Sequence, residues 1–144
     1  MKNKHAYIIA EIGVNHNGSL SNAKKLIDLA KKCGANAVKF QLFKSTNLTT
    51  DYANTAQYQK KSLNRDLKQI ELLKNLELTN NQIKKLKEYS EIKNIDFICS
   101  AFDSESLQFL NLLNIKKIKI PSGEINNYPF LKEIGKLNKE ILLS

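Results

Sequence analysis

Short apolar segments recur along this chain at a nearly constant spacing, which limits the possible folds more than any other feature. Five of them are rich in β-formers with little polar alternation, as in strands buried on both faces of a parallel sheet: residues 7–12, 37–41, 95–100, 117–120 and 140–144. Apart from one long insertion, they begin 22 to 30 residues apart. This spacing predicts βα units of a parallel α/β fold, either a barrel or a doubly wound sheet.

The segments between these runs carry helix boundary signals. We expect helices to begin at Ser19 or Ser21, at Thr79, at Asp103 or Ser104, and at Asn127. Gly34 is expected to end the first of them, and a further helix is predicted near residues 66–75 within the long polar segment 42–78. Gly13 and Gly18 are too far apart for a G-x-G-x-x-G motif, which disfavours a dinucleotide-binding domain.

The composition is that of one globular domain. A chain of 144 residues with 42% hydrophobic residues is long enough to bury its own core. It has no apolar run of 18 residues and no signal-peptide pattern, so we expect a soluble, cytoplasmic protein without membrane contact. Cys33 and Cys99 are predicted to be buried free thiols.

The net charge of +9 raises the question of nucleic-acid binding. Arg65 is the only arginine among 23 basic residues, and the lysines are spread over predicted helix surfaces. No arginine cluster or stripe of alternating basic and aromatic residues occurs. We therefore expect no nucleic-acid partner, and a basic binding module remains the non-enzymatic alternative.

Polar side chains collect at the carboxyl ends of the predicted strands, where (β/α) barrels carry their chemistry. Lys39 and Lys119 stand inside apolar strands, where a charge is costly unless an anion matches it. They indicate a phosphate or carboxylate ligand, with solvent exposure at a sheet edge as the alternative. The other candidates at these ends are Glu11, Ser100, Ser122, Glu124 and Ser144. Neither histidine has a partner at metal-ligand spacing, and His16 is interpreted as structuring its loop.

Several segments, taken in order, resemble the sialic acid synthase family, which includes legionaminic and pseudaminic acid synthases. They are residues 9–18, 38–41, 56–59, 97–102, 119–129 and 141–144. Their order and spacing fit the family along the whole chain. The resemblance implies the N-terminal half of a (β/α)8 TIM barrel, strands 1–5, with residues 1–144 as its first portion. The rest of the barrel and a C-terminal antifreeze-like domain are expected beyond this chain.

The resemblance also implies an activity. Members condense phosphoenolpyruvate with an N-acetylated amino sugar, such as N-acetylmannosamine or a diacetamido hexose. The products are a nine-carbon 2-keto sugar acid and phosphate, and the 144-residue chain alone is expected to be inactive. A homodimer is implied for the full-length protein. A divalent metal, Mn²⁺ or Mg²⁺, is implied as cofactor, with ligands beyond this chain.

Site roles carry over residue by residue from the resemblance. Phosphoenolpyruvate binding is implied for Lys39, Ser100, Lys119, Ser122 and Ser144. Glu124 would hydrogen-bond the amino sugar, and Glu11 would be the catalytic acid or base. Ser100 stands where many members have threonine, which keeps the hydroxyl group. Two alternatives remain: another phosphoenolpyruvate-using barrel, such as a heptulosonate-phosphate synthase, or a non-catalytic truncated product.

Overall fold

Five parallel strands form one sheet in this computed structural model, which describes residues 5–49 and 68–144. They are β1 (Ile9–Gly13), β2 (Ala37–Leu42), β3 (Asp96–Ala101), β4 (Lys117–Ile120) and β5 (Glu140–Leu143). Each observed strand overlaps its predicted run, with ends differing by two residues or fewer. The expected segment 56–59, Arg65 and the start of the helix predicted from residue 66 lie outside the described residues.

The order of the strands distinguishes between the two folds that their spacing allows. Each strand pairs with the next one in the chain, so the sheet runs β1-β2-β3-β4-β5 without reversal. A doubly wound sheet places later strands on the other side of the first, whereas a barrel keeps the sequential order. The architecture therefore matches the first five strands of a (β/α) barrel, as expected.

Within residues 5–49 and 68–144, six α-helices and one short 3₁₀ turn lie between the strands. They are α1 (Leu20–Lys32), α2 (Ser45–Leu48), α3 (Gln69–Leu76), α4 (Asn80–Ile92), α5 (Ser104–Leu112), the 3₁₀ turn Ser122–Glu124, and α6 (Tyr128–Gly135). Ser19, rather than Ser21, caps α1 by accepting a hydrogen bond from Asn22 N–H. Thr79 begins α4 with the predicted capping box. Within residues 5–49 and 68–144, every helix is too short or too polar to cross a bilayer.

Four helix-to-strand turns each contain a residue with a positive φ angle. Gly34, Asn94, Asn114 and Asn138 each adopt a positive φ just after α1, α4, α5 and α6, respectively. In the turn at Gly34, Ala35 N–H donates to the carbonyl of Ala30, which satisfies a carbonyl that the helix end leaves free. Glycine tolerates this left-handed conformation without cost, and asparagine tolerates it better than most residues. These turns return the chain to the sheet in the same way each time.

The alternation of side chains separates two faces of the sheet. The helix-facing side is apolar and buried: Ile12, Val38, Phe40, Leu42, Cys99, Ala101, Ile118 and Ile120. Leucines and isoleucines from the helices pack against it, each stabilising the fold by roughly 1.5–3 kcal/mol when fully buried. The opposite side, here called the polar face, carries Glu11, Lys39, Ser100 and Lys119 by the same alternation. In a barrel this side lines the interior.

The two cysteines have different environments. Cys99 is buried on the helix-facing side, as expected, whereas Cys33 is exposed. The prediction for Cys33 was wrong because the residue follows the last turn of α1, where the chain leaves the core before Gly34. Both are free thiols.

Candidate active site

Glu11 and Lys39 form an ion pair at the carboxyl end of β1 and β2. The two residues are direct partners in the parallel register, and Glu11 Oε2 lies 2.5 Å from Lys39 Nζ. The Lys39 side chain is only 14% exposed, whereas that of Glu11 is 49% exposed. The sheet thus holds the lysine firmly and leaves the carboxylate at the solvent side of the pair.

The backbone at Gly13 shapes this pair. The register shifts between Glu11 and Gly13, so β1 bulges where it ends. Gly13 has φ +53°, and a Cβ there would lie 2.9 Å from Glu11 Oε1. A methyl group there would crowd the carboxylate of Glu11, and the positive φ favours glycine.

Lys119 approaches the same region from β4. Its Nζ donates a hydrogen bond of 2.9 Å to the carbonyl of Ile120, and it forms no ion pair with a carboxylate among the described residues. Burial lowers the pKa of Lys119, and the nearby charge of Lys39 lowers it further, with Glu11 opposing in part. Glu11 is thus paired with Lys39, and the unpaired Lys119 leaves net positive charge at this edge.

Ser100 lies between the two lysines in the sheet. It pairs in register with Gln41 of β2 and with Lys119 of β4. Its side chain is fully buried, and the hydroxyl has no hydrogen-bond partner among residues 5–49 and 68–144. A buried polar atom without a partner is costly in a folded protein, so this hydroxyl is suited to meet a ligand atom.

The remaining predicted residues lie further along the same edge. Ser122 and Ser144 are exposed, just after β4 and β5. Glu124 is half-buried in the 3₁₀ turn, where its carboxylate accepts a hydrogen bond of 2.7 Å from the Asn127 side chain. Within the described part of the chain, no hydrogen bond or ion pair joins these three to the lysines. The structure thus brings Glu11, Lys39, Ser100 and Lys119 together and leaves Ser122, Glu124 and Ser144 at the rim.

Two nearby groups are kept neutral by burial. Burial raises the pKa of the Cys99 thiol far above its ordinary value, so Cys99 stays protonated behind the polar face. His16 is fully buried beside Phe40, with ring centroids 6.1 Å apart, and burial lowers its pKa. Its Nδ1 accepts a hydrogen bond from Gly18 N–H, which supports the prediction that it structures the loop.

The described residues do not fit a metal ion. In residues 5–49 and 68–144, no group of three or more His, Cys, Asp or Glu side chains could hold one. His16 is fully buried and its ring stacks beside Phe40.

Gln41 was not predicted as a site residue. It follows Lys39 by two positions and so shares the polar face, and its side-chain nitrogen approaches the space above Gly13. The period of two along β2 was the signal that could have identified it. Gln41 adds an amide donor beside Glu11.

Known proteins match this chain over most of its length. The NeuB family model matches residues 26–144. The N,N'-diacetyllegionaminic acid synthase of Campylobacter jejuni is 49% identical over 141 residues, which make up 98% of this chain and 42% of that protein. The enzyme of the same name from Legionella pneumophila is 43% identical over 138 residues, covering 96% of this chain and 39% of that protein.

A solved structure has the same fold as this chain. The N-acetylneuraminic acid synthetase of Leptospira borgpetersenii, crystallised with citrate, superposes with a TM-score of 0.80 at 30% sequence identity. The match covers 98% of this chain and 45% of that one. This chain thus spans less than half the length of these relatives, and over that span it shares their sequence and fold. The chain belongs to the NeuB family.

Proposed function

We propose that the edge formed by Glu11, Lys39, Ser100 and Lys119 binds phosphoenolpyruvate within a sugar-acid synthase. The observation that carries this proposal is the presence of two lysines, on β2 and β4, near a single carboxylate that is paired with Lys39 alone among the described residues. Phosphoenolpyruvate has a phosphate and a carboxylate, and charge-assisted hydrogen bonds from ammonium groups are the strongest contacts such oxygens accept. The unpartnered Ser100 hydroxyl adds a donor between the two lysines.

The other residues complete the assignment. Ser122 and Ser144, at the ends of β4 and β5, contribute hydroxyl groups to the same substrate. Glu124 accepts a hydrogen bond from a hydroxyl of the amino sugar. Glu11 serves as acid or base, because its carboxylate contacts Lys39 and its charge acts on Lys119.

The proposed reaction joins phosphoenolpyruvate to an N-acetylated amino sugar. The C3 carbon of the enol phosphate forms a bond to the aldehyde carbon, and the aldehyde oxygen takes up a proton to become a hydroxyl. Water adds to C2 and gives up one proton, which leaves a hydroxyl on C2. The C–O bond to phosphate then breaks, and the second proton passes from this hydroxyl to the departing phosphate, which leaves the 2-keto acid. The lysines stabilise the charge that collects on the departing phosphate.

The names of the relatives bear on which amino sugar is the substrate. Two of them are named as N,N'-diacetyllegionaminic acid synthases, with 49% and 43% identity to this chain. Their names support a diacetamido hexose over N-acetylmannosamine. A homodimeric full-length protein and a cytoplasmic location stay predictions.

A chimera tests the proposal. This chain would replace the corresponding segment of the Campylobacter jejuni relative, and the purified chimera would be assayed for keto acid and phosphate release with each sugar. We expect product with the diacetamido hexose. If the chimera is folded by circular dichroism but makes no product with any N-acetylated hexose, the proposal is wrong. Activity with an aldose phosphate instead would support the heptulosonate-type alternative.

A further inference from the structure

The Glu11–Lys39 pair places an internal anion where a substrate anion would bind. The carboxylate contacts Lys39 at 2.5 Å, so one of the two lysines is already neutralised before any ligand arrives. The exposed fractions differ, at 49% for Glu11 and 14% for Lys39. The carboxylate can therefore move into solvent, whereas the lysine is held by the sheet.

Within residues 5–49 and 68–144, Glu11 forms an ion pair with Lys39 alone. Lys119 faces the pair from β4 and donates to the Ile120 carbonyl, and Cys99 on β3 is a neutral thiol behind the sheet. On β1 and its loop, Gly13 has no side chain and His16 is buried against Phe40. If a dianion pairs with Lys39, Glu11 loses its cationic partner and lies within a few ångströms of the bound negative charge. Like charges at that distance favour the neutral form of the carboxyl group.

We propose that anion binding and protonation of Glu11 are coupled at this site. The bound anion displaces Glu11 from Lys39, and the freed carboxylate takes up one proton from solvent. This inference rests on the proposed function and deepens it, since it loads the acid that the sugar carbonyl oxygen needs when it becomes a hydroxyl. Substrate binding itself would then prepare the site for proton transfer.

Sulfate is a suitable probe because it is a tetrahedral dianion that does not titrate near neutral pH. Its binding to this chain would be measured by calorimetry at about pH 6 in MES and in imidazole, whose ionisation enthalpies differ. The difference in heat gives the number of protons taken up. We expect roughly half to one proton for each sulfate, and an affinity that rises as the pH falls.

Matched variants assign the proton. Glu11→Gln should bind sulfate about tenfold more tightly, since the internal competitor is gone, and should take up no proton. Glu140→Gln removes another carboxylate from the polar face, at its amino edge, and should leave proton uptake unchanged. The carboxyl carbon of Glu11, followed by ¹³C NMR in the unsubstituted chain, should shift towards the protonated value when sulfate is added.

The outcomes separate this inference from the proposed function. Sulfate binding without proton uptake, or with equal uptake in Glu11→Gln, overturns the coupling and leaves the anion site intact. Absence of sulfate binding in the unsubstituted chain overturns both. An unchanged ¹³C signal of Glu11 at saturating sulfate also overturns the coupling, whether or not the Gln variant folds.

Discussion

Two lysines on the same strand of this sheet have opposite electrostatic environments. Lys117 and Lys119 are separated by one residue on β4, and both lie on the polar face. Burial alone would lower the pKa of Lys117, but hydrogen bonds from Lys117 to Tyr7 and Asp96 outweigh it and raise that pKa. Burial and the charge of Lys39 instead lower the pKa of Lys119.

The difference lies in how each charge is matched. At the amino edge, Lys117 Nζ lies 3.3 Å from Asp96 Oδ2, 3.3 Å from the Tyr7 hydroxyl and 3.9 Å from Glu140 Oε2. Tyr7, which lies just before β1, also donates a hydrogen bond to Asp96, so this cluster joins that segment to β3, β4 and β5. At the carboxyl edge, Glu11 is paired with Lys39, and Lys119 has no carboxylate partner among residues 5–49 and 68–144. A satisfied network holds strands together, whereas an unsatisfied one retains the capacity to bind.

The cleft at the amino edge of the sheet also shows this difference between paired and unpaired lysines. It encloses about 280 Å³ between the starts of β3 and β4. The cations that line it are largely paired already, with Lys87 held by Glu91 at 2.6 Å and Lys117 held by Asp96. A cleft whose charges are already matched offers little to an anion.

The largest effect is expected from Lys119→Met. Removing the lysine that has no carboxylate partner should weaken binding of phosphoenolpyruvate or sulfate by about 100-fold, because a charge-assisted hydrogen bond is lost. The free energy of unfolding should stay the same or rise, since burial already disfavours this charge. Calorimetric titration and urea unfolding measure the two quantities. Unchanged anion affinity would contradict the assignment of Lys119.

Gly13→Ala should affect the same edge through Glu11. The new methyl group forces the carboxylate away from Lys39, so anion affinity should change by a few-fold, and the strained φ should lower the free energy of unfolding by about 1–2 kcal/mol. Gly34→Ala is the matched control, since Gly34 has φ +82° with open space around its Cβ position. It should lose similar stability with no change in anion binding. Equal changes in anion binding for both variants would show that Gly13 does not position Glu11.

Lys117→Met should lower the free energy of unfolding without changing anion affinity, which is the reverse of the result expected for Lys119→Met. It leaves Asp96 and Glu140 without their cation, and we expect the free energy of unfolding to fall by roughly 1 kcal/mol because the pair is partly solvent-screened. Sulfate affinity should remain that of the unsubstituted chain. A large loss of sulfate binding would remove the distinction between the two edges.

The smallest expected effect is the pH dependence of the stability that Asp96 contributes. The hydrogen bond from Tyr7 holds the pKa of Asp96 below its ordinary value of 3.8, and Lys117 adds to this. Since the folded value is lower than the unfolded one, this carboxylate contributes stability above about pH 4, and the contribution is lost as the pH falls through the folded value. The free energies of unfolding of the unsubstituted chain and of Asp96→Asn should therefore converge as the pH is lowered from about 5 through the folded value. A constant difference across that range would contradict the pairing with Tyr7.

Much of the fold could be predicted from local patterns. The strands were located because each is an apolar run between helix boundary signals, and the caps at Thr79 and Asn127 were identified because their side chains bond within three residues of themselves. The exposure of Cys33 could not be predicted in this way. It depends on where α1 leaves the core, which an apolar neighbourhood in the sequence does not reveal.

The sequence by itself determined that lysines stand inside apolar strands of a parallel α/β fold and that Ser100 ends one such strand. It singled out Lys119 as a candidate, but a Lys-Ile-Lys run does not show which of its lysines has a carboxylate partner. Only the tertiary structure decided that Asp96 and Tyr7 reach Lys117, whereas Lys119 has no carboxylate partner among the described residues. Those partners are 21 and 110 residues away in the chain, and the register of the parallel strands brings them together. Register is a property of the assembled sheet, so the charge balance at each edge is set there.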